Sequence, residues 1–235
     1  MQTTLGLFGK IPAHGDFVER NLQRSFSLQW DDWLQRGMAS SREQLGSHWL
    51  DAYLTSPIWR FCLSVGAVDS LAWAGILMPS VDSVGRYYPL TVAQPVACNN
   101  SPFEFLVKNK FWYASLEEVA LSALHDEVDA DGLIDWLQQL APAADCTPAS
   151  ELAPVRLPNG WVCHGANAAN HSDANLTAAY TQLLHQAVTP QYDSQSLWWS
   201  GHSQIMTPTC LYTQGLPTAQ QFSALLDGRW KIESL

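Results

Sequence analysis

The chain has 235 residues, of which 47 % are hydrophobic and only 14 % are charged, so a disordered protein is excluded and a globular core is expected. Twenty-two acidic residues against twelve basic ones give a net charge of −10, and without any basic run nucleic-acid binding is disfavoured. The longest apolar stretches are far too short to cross a bilayer and the first residues carry no signal-peptide pattern, which predicts a soluble cytoplasmic protein.

The first half of the chain predicts two helices and then three strands. Large apolar side chains recur at helical spacing and share one face, namely Phe26, Trp30, Trp33, Leu34 and Met38. We interpret this stripe as core. Apolar runs further on predict three strands that follow one another as a meander. The predicted elements are a strand at 5–10, a helix from residue 25, a helix at 42–53, and strands at 59–65, 72–78 and 87–93.

The second half predicts more helices, with short strands between them. Thr218 and Gln221 form a capping-box pattern, and Gly228 is expected to end the helix that follows. The predicted elements are a helix from 101 to about 125 broken near 109, a helix at 132–140, a proline-rich excursion at 141–158, a strand at 160–165, a helix at 176–187, and strands at 196–201 and 210–212. This alternation predicts an α/β fold, a single domain over residues 1–235, with one mixed sheet covered on both faces.

The stretch 73–92 is predicted to present a site. A buried strand on either side encloses a polar loop in which Pro79, Gly85 and short polar side chains favour an ordered turn. Asp82 and Arg86 are the loop's only charges, and Ser80 is its other candidate binding residue. Because rigid scaffolds commonly carry function on their connections, we expect this loop to form a binding surface or pocket.

A second polar turn, near the start of the chain, offers two further candidates. His14 and Asp16 lie in the turn marked by Pro12 and Gly15, and the pair could serve acid–base chemistry or simply local structure. The preceding Lys10 is not assigned to a phosphate loop, because the required glycine spacing and a following Ser or Thr are absent. The two turns could form one site if they meet in space.

Three interpretations of these polar residues remain open. In the first, Asp82 pairs with Arg86 to brace the loop while Asp16 caps backbone amides. In the second, the residues form a surface for a partner or ligand. In the third, they form a pocket of an enzyme or small-ligand sensor, with Arg86 binding an anion and His14 or Asp16 moving a proton.

Arg60 is a further candidate. It lies on the face of its predicted strand opposite Trp59 and Phe61, and it is either a structural charge or a residue that shapes the neighbouring site.

The five cysteines predict free thiols. They are odd in number and widely spaced, without a Cys-x-x-Cys pair, so neither a zinc site nor redox exchange is indicated. We expect them to be buried. Cys163 adjoins His164, but neighbours on a strand point to opposite faces, which is poor geometry for activating a nucleophile. No catalytic residue, metal ligand or cofactor is therefore assigned.

Two motifs together resemble the TagF family of type VI secretion-associated proteins. The first is GKIPAHGDFV at 9–18, and the second is PSVDSVGRYYPL at 79–90. Supporting matches are found at 30–34 and 56–61, with a weaker one at 196–199, whereas the likeness is vague over 141–194.

The resemblance implies a three-layer α/β/α fold and a cytoplasmic accessory protein of the bacterial type VI secretion machine. It further implies a post-translational repressor that binds and sequesters Fha, a scaffold protein with a forkhead-associated domain. Under this expectation the candidate surface comprises His14, Asp16, Arg60, Ser80, Asp82 and Arg86.

Overall fold

The protein is described from a computed structural model, which covers residues 4–97, 102–125, 128–141, 143–144, 155–157, 160–162, 173–188, 193–201 and 203–230. The strands are β1 (Gly6–Gly9), β2 (Val18–Arg20), β3 (Trp59–Leu63), β4 (Trp73–Met78), β5 (Leu90–Pro95), β6 (Val155–Leu157), β7 (Gly160–Val162), β8 (Gln195–Ser200) and β9 (Thr209–Gln214). The α-helices are α1 (Arg24–Leu45), α2 (Trp49–Thr55), α3 (Pro102–Lys108), α4 (Lys110–Ser122), α5 (Ala130–Gln138), α6 (Asp173–Val188) and α7 (Phe222–Asp227).

The main sheet has seven strands in the order β2-β1-β5-β4-β3-β8-β9, and every neighbouring pair is antiparallel. The prediction of a mixed sheet is therefore wrong. Helices between strands suggested parallel crossovers, but α3 to α6 connect β5 to β8, which are not neighbours in the sheet. The predicted meander is confirmed, since β3, β4 and β5 are adjacent. A separate two-stranded sheet pairs β6 with β7.

Helices cover both faces of the main sheet, as the apolar strand runs predicted. Side chains alternate along β3, so Phe61 and Leu63 pack with α1, α2 and α7 while Cys62 packs with α3, α4 and α5. The first face is rich in aromatic rings, and the predicted helical stripe of α1 is buried within it, with Trp30 stacked on Phe26 at 5.1 Å between ring centroids. Each face thus has its own core.

Most predicted elements are present, with shifted boundaries. The first helix continues to Leu45 before Gly46, whose φ of +53° breaks it, and the predicted break at Asn109 separates α3 from α4. The capping box is confirmed, because the Thr218 amide donates to Gln221 Oε1 at 2.9 Å and the Gln221 amide donates to Thr218 Oγ1 at 3.2 Å.

One strand was missed, and two predictions fall partly or wholly outside the described residues. Strand β2 was not predicted, because three residues are too few for a periodicity to register. Within the predicted excursion at 141–158, residues 155–157 form β6, while most of the stretch lies outside the described residues. Cys163 and His164 also lie outside them.

Candidate functional site: two braced loops

Two loops, residues 10–17 after β1 and residues 79–89 between β4 and β5, meet at one end of the sheet; we call them the loop pair. They emerge side by side because β1 pairs with β5. Gly9 permits the approach: its φ is +135°, and a Cβ there would lie 2.0 Å from the carbonyl oxygen of Pro89. Any other side chain at this position would push the loops apart.

The Asp82 carboxylate joins the two loops. Its Oδ2 accepts hydrogen bonds from Lys10 Nζ and Arg86 Nε, both at 2.7 Å. Its Oδ1 accepts from the amides of Val84 at 3.1 Å and Arg86 at 2.8 Å. The side chain of Asp82 is 0 % exposed and that of Lys10 is 6 % exposed. The carboxylate is therefore buried, with both oxygens satisfied by the protein.

These hydrogen bonds keep Asp82 ionised. Burial by itself would raise the pKa of the carboxyl group, but the bonds from Lys10, from the amide and side chain of Arg86, and from the Val84 amide outweigh it. The resulting pKa lies well below the usual range of an aspartate. Asp82 is thus a fixed negative charge at neutral pH rather than a group that exchanges protons there.

Further contacts hold the first loop against the second. The Ser83 amide donates to the carbonyl of His14 at 3.0 Å, and Arg86 Nη2 donates to the carbonyl of Gly15. Arg86 Nη2 also lies 3.6 Å from Asp16 Oδ1. Asp16 is fully exposed there, and the capping of backbone amides that the first interpretation gave to Asp16 is done by Asp82.

Tyr53 of α2 clamps the second loop from the core side. Its hydroxyl donates to the carbonyl of Ser80 at 2.8 Å and accepts from the amide of Ser80 at 2.9 Å. Ser80 Oγ in turn donates to the carbonyl of Lys10 at 2.6 Å. Burial raises the pKa of Tyr53 far above that of a free tyrosine, more than the Ser80 hydrogen bond lowers it, so the hydroxyl stays protonated and keeps its donor.

The imidazole of His14 faces α5 rather than Asp82. Its Nε2 accepts a hydrogen bond of 3.4 Å from the amide of Ala130, at the start of the helix. This bond requires an unprotonated Nε2. The structure therefore brings His14, Asp16, Ser80, Asp82 and Arg86 together, but the first of them contributes its carbonyl, not its ring, to the contact between the loops.

Arg60 is held elsewhere. Its guanidinium makes a two-pronged ion pair with Glu117 of α4, with Nε–Oε1 at 2.7 Å and Nη2–Oε2 at 2.8 Å, and lies over the Tyr113 ring. The hydrogen bond to Glu117 raises the pKa of Arg60. These contacts connect β3 to α4. Arg60 is therefore a structural charge, the first of the two roles considered for it, and not part of the loop pair.

The outer surface of the loop pair combines apolar and charged groups. Val84, at the tip of the second loop, is 68 % exposed, and Phe17 is 50 % exposed. The Phe17 ring packs edge-on against Tyr88 at 4.8 Å, and the Lys10 ammonium lies 5.1 Å from the centre of the same ring. Tyr88 and Lys10 therefore hold the exposed Phe17 ring in place, next to the charged residues Asp16 and Arg86 of the loop pair.

Sequence reasoning missed two residues that brace this site, Lys10 and Tyr53, and it did not single out the exposed Phe17 and Val84. Lys10 was set aside together with the phosphate loop, and Tyr53 was assigned only to the apolar face of a helix. A lysine directly after a buried strand, within the same motif as His14 and Asp16, is the signal that could have found the first. Nothing local marks Tyr53, because its partner Ser80 is distant in sequence.

The described part of the chain was also searched for metal sites, membrane-spanning helices and free cysteines. There, no cluster of three or more His, Cys, Asp or Glu side chains is placed to hold a metal ion, and no helix has the length and apolarity to span a membrane. Two free cysteines are described: Cys62 is buried as expected, whereas Cys210 is exposed, contrary to the expectation. Cys210 lies on β9, the last strand in the order of the main sheet.

Comparisons with known proteins place both loops within a family match. Residues 6–140 match the model of the TagF N-terminal domain, described as type VI secretion system-associated. The chain is also similar to the crystal structure of PA0076 from Pseudomonas aeruginosa PAO1, with 35 % sequence identity, 99 % of this chain and 98 % of that chain covered, and a TM-score of 0.77. No curated protein matches the chain.

Proposed function

The chain belongs to the TagF family of type VI secretion-associated proteins, and from this membership we propose that it is a cytoplasmic regulator that represses type VI secretion post-translationally. It does so by binding and sequestering the scaffold protein Fha. The loop pair is its binding surface. Sequestration requires a complementary surface and no bond making or breaking.

The bonding state of Asp82 is the observation that carries the proposal. All four of its hydrogen bonds come from within the protein, so its charge is used to hold two loops together. A site whose central carboxylate is already saturated favours recognition over the alternative of an enzyme or small-ligand sensor. The braced loops then present Phe17 and Val84 at little entropic cost on binding.

Calorimetry with purified Fha tests the proposal. We expect binding at tens of micromolar or tighter, and Val84→Asp should weaken it at least about tenfold, because a charge placed in an apolar contact must be desolvated. The matched control is Phe111→Ala on α4, where the ring is 76 % exposed and lies outside the loop pair. It should leave the affinity unchanged.

Both variants should melt within a degree or two of the parent, since Val84 and Phe111 are largely exposed. The absence of binding between folded proteins would contradict direct sequestration. Equal loss in Val84→Asp and Phe111→Ala would contradict the assignment of the surface. A pocket for a small ligand would instead show as a thermal shift with that ligand alone, abolished by Arg86→Ala.

A further inference from the structure

A groove of about 380 Å³ lies between α4 and α5, which pack against each other on one face of the sheet. Its apolar side chains are Val119, Trp136 and Leu140, and the other side chains in its lining are polar. Trp136 is 44 % exposed, because α5 turns Leu133 and Leu137 into the core and leaves the indole beside that stripe. The groove therefore offers a large aromatic ring to a partner.

Glu118 is the only charged residue in the lining of this groove. It is exposed, and no hydrogen bond or ion pair in the described part of the chain involves its carboxylate. Its neighbour Glu117 differs, since both oxygens of that side chain are bonded by Arg60. A carboxylate without a partner, beside an exposed indole, is available to a cation from outside the chain.

The helices around the groove are strongly acidic. Residues 111–155 contain nine Asp and Glu and no Lys or Arg, in a chain whose net charge is −10. Arg20 reaches this layer from β2, but it is bonded to Asp131 at 2.7 Å. Asp135, which precedes Trp136, is exposed and has no ion pair among the described residues. The potential at the groove is therefore negative, and it attracts positively charged groups.

We propose that the groove between α4 and α5 binds a basic amphipathic segment of another protein. An apolar side chain of that segment packs on Val119 and Leu140, as in other complexes where an amphipathic segment lies in a groove between helices. A Lys or Arg beside it lies over the Trp136 ring and pairs with Glu118. Both halves of the segment thus meet a matching group in one groove.

Charge distinguishes this occupant from the others. Nucleic acids and anionic membranes carry negative charge and are repelled by the acidic helices. A second copy of this chain would bring the same acidic face and would be repelled as well. A basic protein segment gains from both the charge and the apolar lining of the groove.

The inference does not depend on the proposed function. The loop pair meets α5 at its first turn, where the Ala130 amide donates to His14, whereas the groove lies at the other end of that helix, at Trp136 and Leu140. The two surfaces can therefore be tested separately.

Fluorescence anisotropy with a labelled synthetic peptide tests the groove. The probe has about 14 residues, roughly four helical turns, with Leu on one face and Lys on the other, and its counterpart has Glu in place of every Lys. We expect the Leu–Lys peptide to bind the full chain with a dissociation constant of tens of micromolar or tighter at low salt, and more weakly as salt is added. The Leu–Glu peptide should not bind.

Glu118→Lys and Trp136→Ala should each raise the dissociation constant of the Leu–Lys peptide at least about tenfold. Glu43→Lys is the matched control, because it makes the same change of charge at an exposed residue of α1, on the opposite face of the sheet. It should bind the peptide nearly as the parent does, and Val84→Asp in the loop pair should do so too. Thermal melting shows that each variant is folded.

Several results would overturn the proposal. The folded parent chain could fail to bind the Leu–Lys peptide, or could bind the Leu–Glu peptide equally well. Equal losses in Glu118→Lys and Glu43→Lys would mean that only the net charge of the chain attracts the peptide. Sedimentation of the chain with vesicles of anionic phospholipid would contradict the choice of a protein segment. None of these results bears on Fha binding, which calorimetry with Val84→Asp measures independently.

Discussion

The loop pair and the β8–β9 hairpin differ in their use of charged residues. At the loop pair a carboxylate and an ammonium are buried together, and both carboxylate oxygens accept hydrogen bonds from the chain. At the hairpin β8 and β9 pair along their full length, and neither strand contains a charged residue. The sheet thus holds its segments together in two ways, by a buried ion pair between the loops and by strand pairing that uses no charge. Loss of a single charged side chain should therefore lower stability most at the loop pair.

The largest expected loss of stability follows from Lys10→Met. The substitution keeps the length of the side chain but leaves the buried Asp82 carboxylate with one cation in place of two. Removing one partner of a buried ion pair usually costs several kcal/mol, which in a chain of this size corresponds to a fall on the order of 10 °C in melting temperature. Differential scanning calorimetry measures it.

Arg36→Met is the control for Lys10→Met. Arg36 Nη2 lies 2.6 Å from Asp32 Oδ2, a separation as short as that of the buried pair, but both side chains are about two-thirds exposed, at 66 % and 64 %. Exposed ion pairs contribute little, so the melting temperature should change by no more than about 2 °C. Similar losses in the two variants would mean that burial does not distinguish the brace from a surface pair.

A smaller loss is expected from Tyr53→Phe. The missing hydroxyl leaves the amide and carbonyl of Ser80 without their partner in a buried position, at a cost of about 2 kcal/mol in unfolding free energy. Urea unfolding measures the change. Tyr180→Phe on α6 provides the comparison, because that side chain is 62 % exposed and its loss should be barely measurable. A Tyr53→Phe protein as stable as its parent would remove Tyr53 from the brace.

Acid should weaken the loop pair through Asp82. Its pKa is lowered in the folded protein relative to about 3.9 in the unfolded chain, so its contribution to stability is complete above that value and is lost as the pH falls below it. Urea unfolding at pH 7, 5, 4 and 3 measures the trend. Asp82→Asn should be less stable at pH 7 and should lose less on acidification. Parallel curves for the two proteins would contradict this role.

Much of the fold was predictable from the sequence, because its signals are local. Helical spacing of apolar residues predicted α1, and the capping-box motif predicted the reciprocal hydrogen bonds of Thr218 and Gln221. The directions of the strands could not be predicted from the sequence, since they depend on how the long connection from β5 to β8 crosses the sheet.

In the candidate site, too, local features were predictable and contacts between distant residues were not. The polar residues of the second loop were identified from turn chemistry, whereas their meeting with the His14 turn was only a condition, which the structure meets. Which carboxylate would be buried was not predicted, because the sequence alone does not reveal the environment of Asp82 or Asp16. The role of Lys10 depends on a contact with a residue 72 positions away. Burial is a property of the assembled sheet.

The smallest expected effect concerns Asp16, and it completes the contrast between the two carboxylates that face Arg86. Asp82 lies 2.7 Å from Arg86 Nε and is shielded from water, whereas Asp16 lies 3.6 Å from Arg86 Nη2 and its side chain is 100 % exposed. Water and salt screen the second pair, so Asp16→Asn should shift the melting temperature by no more than about 1 °C, and less still at high salt. Asp82→Asn in the same calorimeter should produce a loss several times larger. Equal losses would show that attraction to Arg86 holds the loops together, rather than the buried hydrogen bonds that Asp82 accepts from both of them.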